Sequence, residues 1–165
     1  MRLLMGQFFI DRKNDGGKVV LTLNGQIDED ASFSGAILDG IDQLVLDLEK
    51  IDAINSCGIR EWIKWIQSAP SQCKIEFRNC PKVIIDQINM VKGFLPENAI
   101  VESFYVPFYS EETGKEKMIL FRRGLDFNEQ GVTADEEITC EESGETLEMD
   151  ILPTKYFKFL IANES

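Results

Sequence analysis

The 165-residue chain contains no histidine. That absence removes imidazole metal ligands, histidine-based nucleophilic triads and the side chain most often used as a general base near neutral pH. Cysteine is sparse. The four at positions 57, 73, 80 and 140 share no framework spacing, as expected of reduced thiols in a cytoplasm, the localisation this reading implies. No apolar run approaches the roughly 20 residues needed to span a bilayer. The opening MRLLMGQFFIDRK has neither a long apolar stretch nor a small-residue cleavage site, so membrane insertion and a signal peptide are not expected. Basic residues are few: 17 Lys and Arg stand against 29 Asp and Glu, a net charge of −12. Between Asp126 and Asp150 there are ten acidic residues and no Lys or Arg. Such a surface repels phosphate backbones and anionic membranes, so nucleic acid is not an expected partner. The acidic run itself is either a solvated face or a contact for a basic protein.

What is present is the composition of a globular protein, with 44% hydrophobic and 28% charged residues. Gln7–Lys13 and Lys18–Asn24 read as two strands joined by Asn14-Asp15-Gly16-Gly17, a strong hairpin signal because Gly and Asn accept positive φ. A short helix is expected over Ala31–Ile37. Gln43–Glu49 reads as a central strand, apolar on both faces as if both were covered. Ile59, Trp62, Ile63 and Ile66 recur at helical spacing and form one buried stripe, with Trp65 outside it and partly exposed. Cys73–Arg78 alternates as a strand, Pro81 opens a second helix to about Val91, and Ile100–Phe108 is strand-like with a bend or edge at Pro107. Strands alternating with helices after an opening hairpin indicate a small α/β sandwich.

The most informative tract runs from Leu44 to Ile66. A hydrophobic strand passes through Asp52 and Ala53 into Asn55-Ser56-Cys57-Gly58-Ile59 and directly into the amphipathic helix. A turn of this kind gathers free N–H groups and the positive end of the helix dipole at one surface point. Ser56 is the expected helix cap. The arrangement resembles the STAS domain, the fold of anti-sigma factor antagonists and sulfate-transporter tails. Its hallmark is a hydrophobic strand, then Asp-Ser-Ser/Thr-Gly-Leu/Ile, then a helix. The resemblance extends over roughly residues 7–105 and implies a mixed β-sheet covered by helices. The segment between the second and third strands is shorter than the family's usual first helix. In members switched by phosphorylation the acceptor directly precedes the Gly. Here that residue is Cys57, and the opening Asp is Asn55, so the usual phospho-switch is expected to be missing.

Residues 106–165 are expected to form a separate β-rich appendage after a STAS-like domain over 1–105. Tyr105–Tyr109 with Lys117–Arg122, and Glu137–Cys140 with Thr146–Ile151, read as two hairpins. Their turns, Ser110-x-x-Thr113-Gly114 and Cys140-x-x-Ser143-Gly144, match the Cys-x-x-Cys-Gly knuckle with small polar residues in place of cysteines. The pattern resembles a zinc ribbon. Only Cys140 of four would-be ligands is a thiol, so no metal is expected. Two readings stay open: a ribbon that has lost its metal, or ordinary hairpins with a coincidental pattern. Tyr156, Phe157, Phe159 and Leu160 are expected to dock as a strand or short helix, and Asn128–Glu137 to be a mobile connection.

These observations lead to a non-catalytic regulatory or adaptor protein of the anti-sigma factor antagonist type. Its protein partner, an anti-sigma-type kinase or another signalling protein, would meet Asn55, Ser56, Cys57, Gly58, Arg60, Glu61 and Lys64. No catalytic residue and no cofactor are expected. The alternatives are an assembly subunit of a transport complex and a thiol redox sensor using Cys57, since a cysteine at a helix N-terminus can react as thiolate.

Overall fold

The computed structural model describes residues 7–161. Five strands form the first sheet: β1 (Phe9–Asp15), β2 (Lys18–Ile27), β3 (Gln43–Ile54), β4 (Lys74–Arg78) and β5 (Ala99–Val101), in the order β1-β2-β3-β4-β5. Gly16 and Gly17, at φ 56° and 89°, make the two-residue turn that pairs β1 and β2 antiparallel. The other pairings are parallel. Helix α1 (Ser56–Gln67) joins β3 to β4, and α2 (Lys82–Met90) connects β4 towards β5. This is the α/β architecture expected from the alternation of periods.

Successive crossovers step across the sheet in one direction. With a common right hand, that places their helices on one face. Leu21, Leu46, Phe77 and Val101 lie in register on four neighbouring strands, and all are buried. Trp62 of α1 meets Phe77 edge-on at 5.7 Å and stacks on Phe94 at 4.9 Å. One residue earlier, the register runs Val20, Val45, Glu76 and Ile100, and Ile100 is 48% exposed. The central strand is therefore not apolar on both faces because both carry helices. Val45 is buried on the far face, but Asp47 and Glu49 follow it there at two-residue spacing.

The helix expected over Ala31–Ile37 does not form. Residues 28–42 instead fold as a chain of turns, closed by Ala31 N–H to Asp28 O, Ala36 N–H to Phe33 O and Ile41 N–H to Leu38 O. Ser32 and Ser34 bond each other at 2.9 Å, the local side-chain pairing that competes with a helix, and Gly35 adds a further cost. The segment still buries Ala31, Phe33, Ala36, Leu38 and Ile41. Phe33 stacks on Trp65 at 4.7 Å, and Trp65 Nε1 donates to Ala36 O at 2.7 Å. Trp65 is thus buried, against the helical-stripe expectation, because this loop covers its flank of α1.

The strand expected as Ile100–Phe108 breaks at Glu102. β5 closes the first sheet, and β6 (Ser103–Tyr109) enters a second, with β7 (Glu116–Arg122), β10 (Glu137–Thr139) and β11 (Thr146–Met149) in the order β10-β11-β6-β7. Pro107 sits inside this sheet. Its carbonyl faces the β11 side, where it accepts from Asp150 N–H just past the two-residue β11–β6 pairing, so its missing N–H falls at a ladder end. The expected connection at 128–137 contains all but the first residue of a small hairpin, β8 (Phe127–Asn128) with β9 (Gly131–Val132), and Val132 and Ala134 pack on the core. The C-terminal aromatics dock as a short helix, α3 (Pro153–Tyr156), and a 3-10 turn at Lys158–Leu160. Phe104 stands at their centre, with the rings of Phe127, Phe159, Phe121, Phe157 and Tyr156 at 5.0–6.1 Å. Tyr156 Oη donates to Tyr105 O at 2.6 Å, and Asn89 Nδ2 of α2 donates to Tyr156 O at 2.9 Å. Buried residues of both sheets belong to one continuous cluster. Among the described residues no helix is long and apolar enough to cross a membrane.

Candidate functional site

The turn after β3 lies where β2 and β3 leave the sheet together, since Ile27 pairs with Ile54. Asn55 organises it. Its backbone is extended (φ −112°, ψ −179°), its N–H donates to Ile27 O at 3.1 Å, and its carbonyl accepts from Ile59 N–H at 2.9 Å. Its Oδ1 accepts from Gly58 N–H at 2.9 Å, so Asn55, not Ser56, is the helix cap. Ser56 is the first helical residue, and its side chain is freed to the surface.

The second atom of the Asn55 amide has its own task. Nδ2 donates to Glu29 Oε2 at 2.9 Å, tying the loop after β2 to the start of α1. An aspartate here could accept from Gly58 but could not donate to Glu29. The hydrogen bond from Asn55 holds the Glu29 carboxyl below its ordinary range. Glu29 is a site residue that sequence reasoning missed. The run Asp28-Glu29-Asp30 stands out, but nothing in it signals a partner 26 positions away.

Gly58 is required by close approach, not by φ. A Cβ at this position would overlap the carbonyl group of Ile27, because the first turn of α1 rests on the end of β2. The remaining expected residues, Ser56, Cys57, Arg60, Glu61 and Lys64, are all exposed. Lys64 Nζ lies 3.7 Å from Glu61 Oε1 one turn away, a solvent-screened pair of little energetic weight. The Cys57 thiol is free, and no hydrogen bond or ion pair involves it among the described residues. The structure therefore brings Asn55, Ser56, Cys57, Arg60, Glu61 and Lys64 together on the first turns of one helix, with Gly58 beneath them. A hydroxyl and a thiol stand at the positive end of α1, with the Glu29 carboxylate alongside.

The second sheet carries two turns of the same design. Ser110 N–H donates to Lys115 O at 3.0 Å and Gly114 N–H to Ser110 O at 2.7 Å. In the other turn Cys140 N–H donates to Glu145 O at 2.8 Å and Gly144 N–H to Cys140 O at 2.7 Å. Gly114 and Gly144 adopt φ 72° and 74°. Lys117 Nζ reaches Cys140 Sγ at 3.6 Å. The Cys140 thiol is pushed below its ordinary range by the Ser143 hydroxyl first, then by the Ser143 and Glu142 backbone N–H groups, with Lys117 adding to them. Cys80, by contrast, is driven well up by burial, and Cys73 is raised for the same reason.

No family model matches the sequence, and no curated protein matches it. Among solved structures, an anti-sigma factor antagonist from Mycobacterium paratuberculosis is similar to part of the chain. The two are 15% identical, the match covers 47% of this chain and 72% of that one, and the TM-score is 0.40. A likeness of this extent leaves the function to be argued from the site itself.

Proposed function

We propose that the chain is a non-catalytic regulatory or adaptor module of the STAS type, whose residues 55–64 bind a protein partner. The observation that carries this reading is the Asn55 turn. It is a strand-to-helix corner locked from both sides, by Ile27 and Glu29, and it displays small side chains at a helix N-terminus. Rigid backbone beneath exposed, chemically modest side chains suits recognition by a complementary surface. The residue before Gly58 is a thiol, so an ordinary Ser/Thr kinase has no substrate there, and binding through this turn is not released by phosphorylation at that position. The fitting partner is an anti-sigma-type kinase or a related signalling protein. Residues 106–165 are read as a ribbon-like appendage to the binding module.

The test is affinity capture from a lysate of the native host with the wild-type chain, a S56W/R60E variant and a K155E control. A signalling kinase bound by the wild type and control but not by S56W/R60E supports the proposal. Retention by all three overturns it, and recovery of a transporter subunit in its place points to an assembly role. Stoichiometric phosphate on Ser56 in protein purified from the host would overturn the switch-free reading.

A further inference from the structure

A zinc ribbon requires four donors, two from each knuckle. The turns of the appendage supply one thiol, Cys140, and three hydroxyls, Ser110, Thr113 and Ser143. Neutral hydroxyls are poor zinc donors beside thiolates. Among the described residues no three His, Cys, Asp or Glu side chains converge so as to hold a metal ion. The residues do not fit the ion, yet the backbone of both knuckles keeps the same hydrogen bonds and the same left-handed glycine. What differs is the source of positive charge. Lys117, on the hairpin of the first knuckle, places its ammonium 3.6 Å from the sulfur of the second. The contact matters because the strands of the two hairpins pair over only two residues, Glu148 with Tyr109 and Met149 with Phe108. Glu141, Glu142 and Glu145 crowd the second turn, and a cation beside it offsets their repulsion.

We infer that Lys117 acts as the cation linking the two knuckles where a ribbon would hold a metal ion, and that the four-donor arrangement survives in their backbone. The inference rests on the ribbon reading of the appendage and deepens it. A metal ion would polarise four ligands at once. The ammonium engages one sulfur, and the remaining three positions have become hydroxyls that hydrogen-bond locally, as Ser110 Oγ does in accepting from Thr113 N–H at 3.3 Å.

Two measurements separate the lysine's role from the ribbon reading. In a C57S background, the pH dependence of Cys140 alkylation by iodoacetamide is followed by mass spectrometry. K117M is expected to move the titration midpoint upward and K117R to return it towards the wild type. An unchanged midpoint in K117M would overturn the role of Lys117. Separately, S110C/T113C/S143C/K117M is refolded with Co2+. One Co2+ per chain, with thiolate charge-transfer bands and the visible spectrum of a tetrahedral site, is expected. A variant that gives no such spectrum, whether folded by circular dichroism or unfolded with cobalt present, counts against the surviving four-donor geometry and leaves the alkylation result standing on its own.

Discussion

Replacing Gly58 with alanine adds one methyl group, and the structure turns that change into a severe one. The new Cβ would overlap the carbonyl oxygen and carbon of Ile27, which are backbone atoms and cannot rotate aside. Helix α1 must then withdraw from the end of β2. Forced overpacking of this kind costs about 1–3 kcal/mol. Withdrawal also stretches the Asn55 N–H to Ile27 O bond, worth about 1 kcal/mol, and disturbs the Asn55 cap, worth about 1 kcal/mol more. Alanine recovers up to about 1 kcal/mol of helix propensity. The net expectation is a loss of about 2–4 kcal/mol, a large share of the 5–15 kcal/mol of a typical domain. Urea unfolding followed by circular dichroism is the assay, and the melting temperature should fall by about 5–15 °C. Gly35→Ala is the control. A Cβ there meets nothing within 4 Å and the backbone is not left-handed, so its stability should stay within about 1 kcal/mol of the wild type. A G58A protein as stable as G35A would refute the claim that α1 rests directly on β2.

Other perturbations probe the same site and the core behind it. Asn55→Asp keeps a capping oxygen but sets a carboxylate against Glu29, so N55D should be less stable at neutral pH, and adding E29Q should restore much of the loss. Because the Glu29 carboxyl is held low in the fold, its stabilising effect is present above the unfolded carboxylate range near pH 4.3. The effect disappears as pH falls through the lower folded value. Stability curves of the wild type and E29Q should therefore differ above that range and converge in acid; parallel curves would count against the Asn55–Glu29 bond. Tyr105 donates to Glu49, which pushes its phenol up to about 12. Ultraviolet titration should show that late step, and E49Q should bring it down towards the usual tyrosine range. The raised value means stability present below the unfolded phenol value is lost as pH rises through about 12. Phe104→Ala should cost about 3–5 kcal/mol, since five rings surround it. That variant should still unfold in one transition seen by both tryptophan fluorescence and circular dichroism; separate transitions would break the continuity of the core.

Local patterns carried far. The hairpin at Gly16-Gly17, the stripe of Ile59, Trp62, Ile63 and Ile66, and the strand entering Asn55 are statements about neighbours in the chain. Period and turn chemistry therefore state them without reference to the rest of the molecule. The same holds for the two knuckles, whose glycines recur at a fixed offset from the first small residue. The failures fall where distant segments decide. Ala31–Ile37 is expected as a helix, yet its Phe33 ring stacks on Trp65 and its Ala36 carbonyl accepts from the Trp65 indole, 29 positions away. Ile100–Phe108 reads as one strand, yet it serves two sheets.

By itself, then, the sequence determined a strand-turn-helix corner at Asn55–Ile59, a thiol and not a hydroxyl before Gly58, and a chain without imidazole chemistry. Each is a matter of residue identity or short-range periodicity. Only the tertiary structure decided that Asn55 and not Ser56 caps the helix, that Glu29 is its second partner, and that Lys117 faces Cys140. A hydrogen bond or charge contact depends on distance in space, and the separations of 26 and 23 positions are closed by the pairing of strands, not by anything written beside the residues themselves.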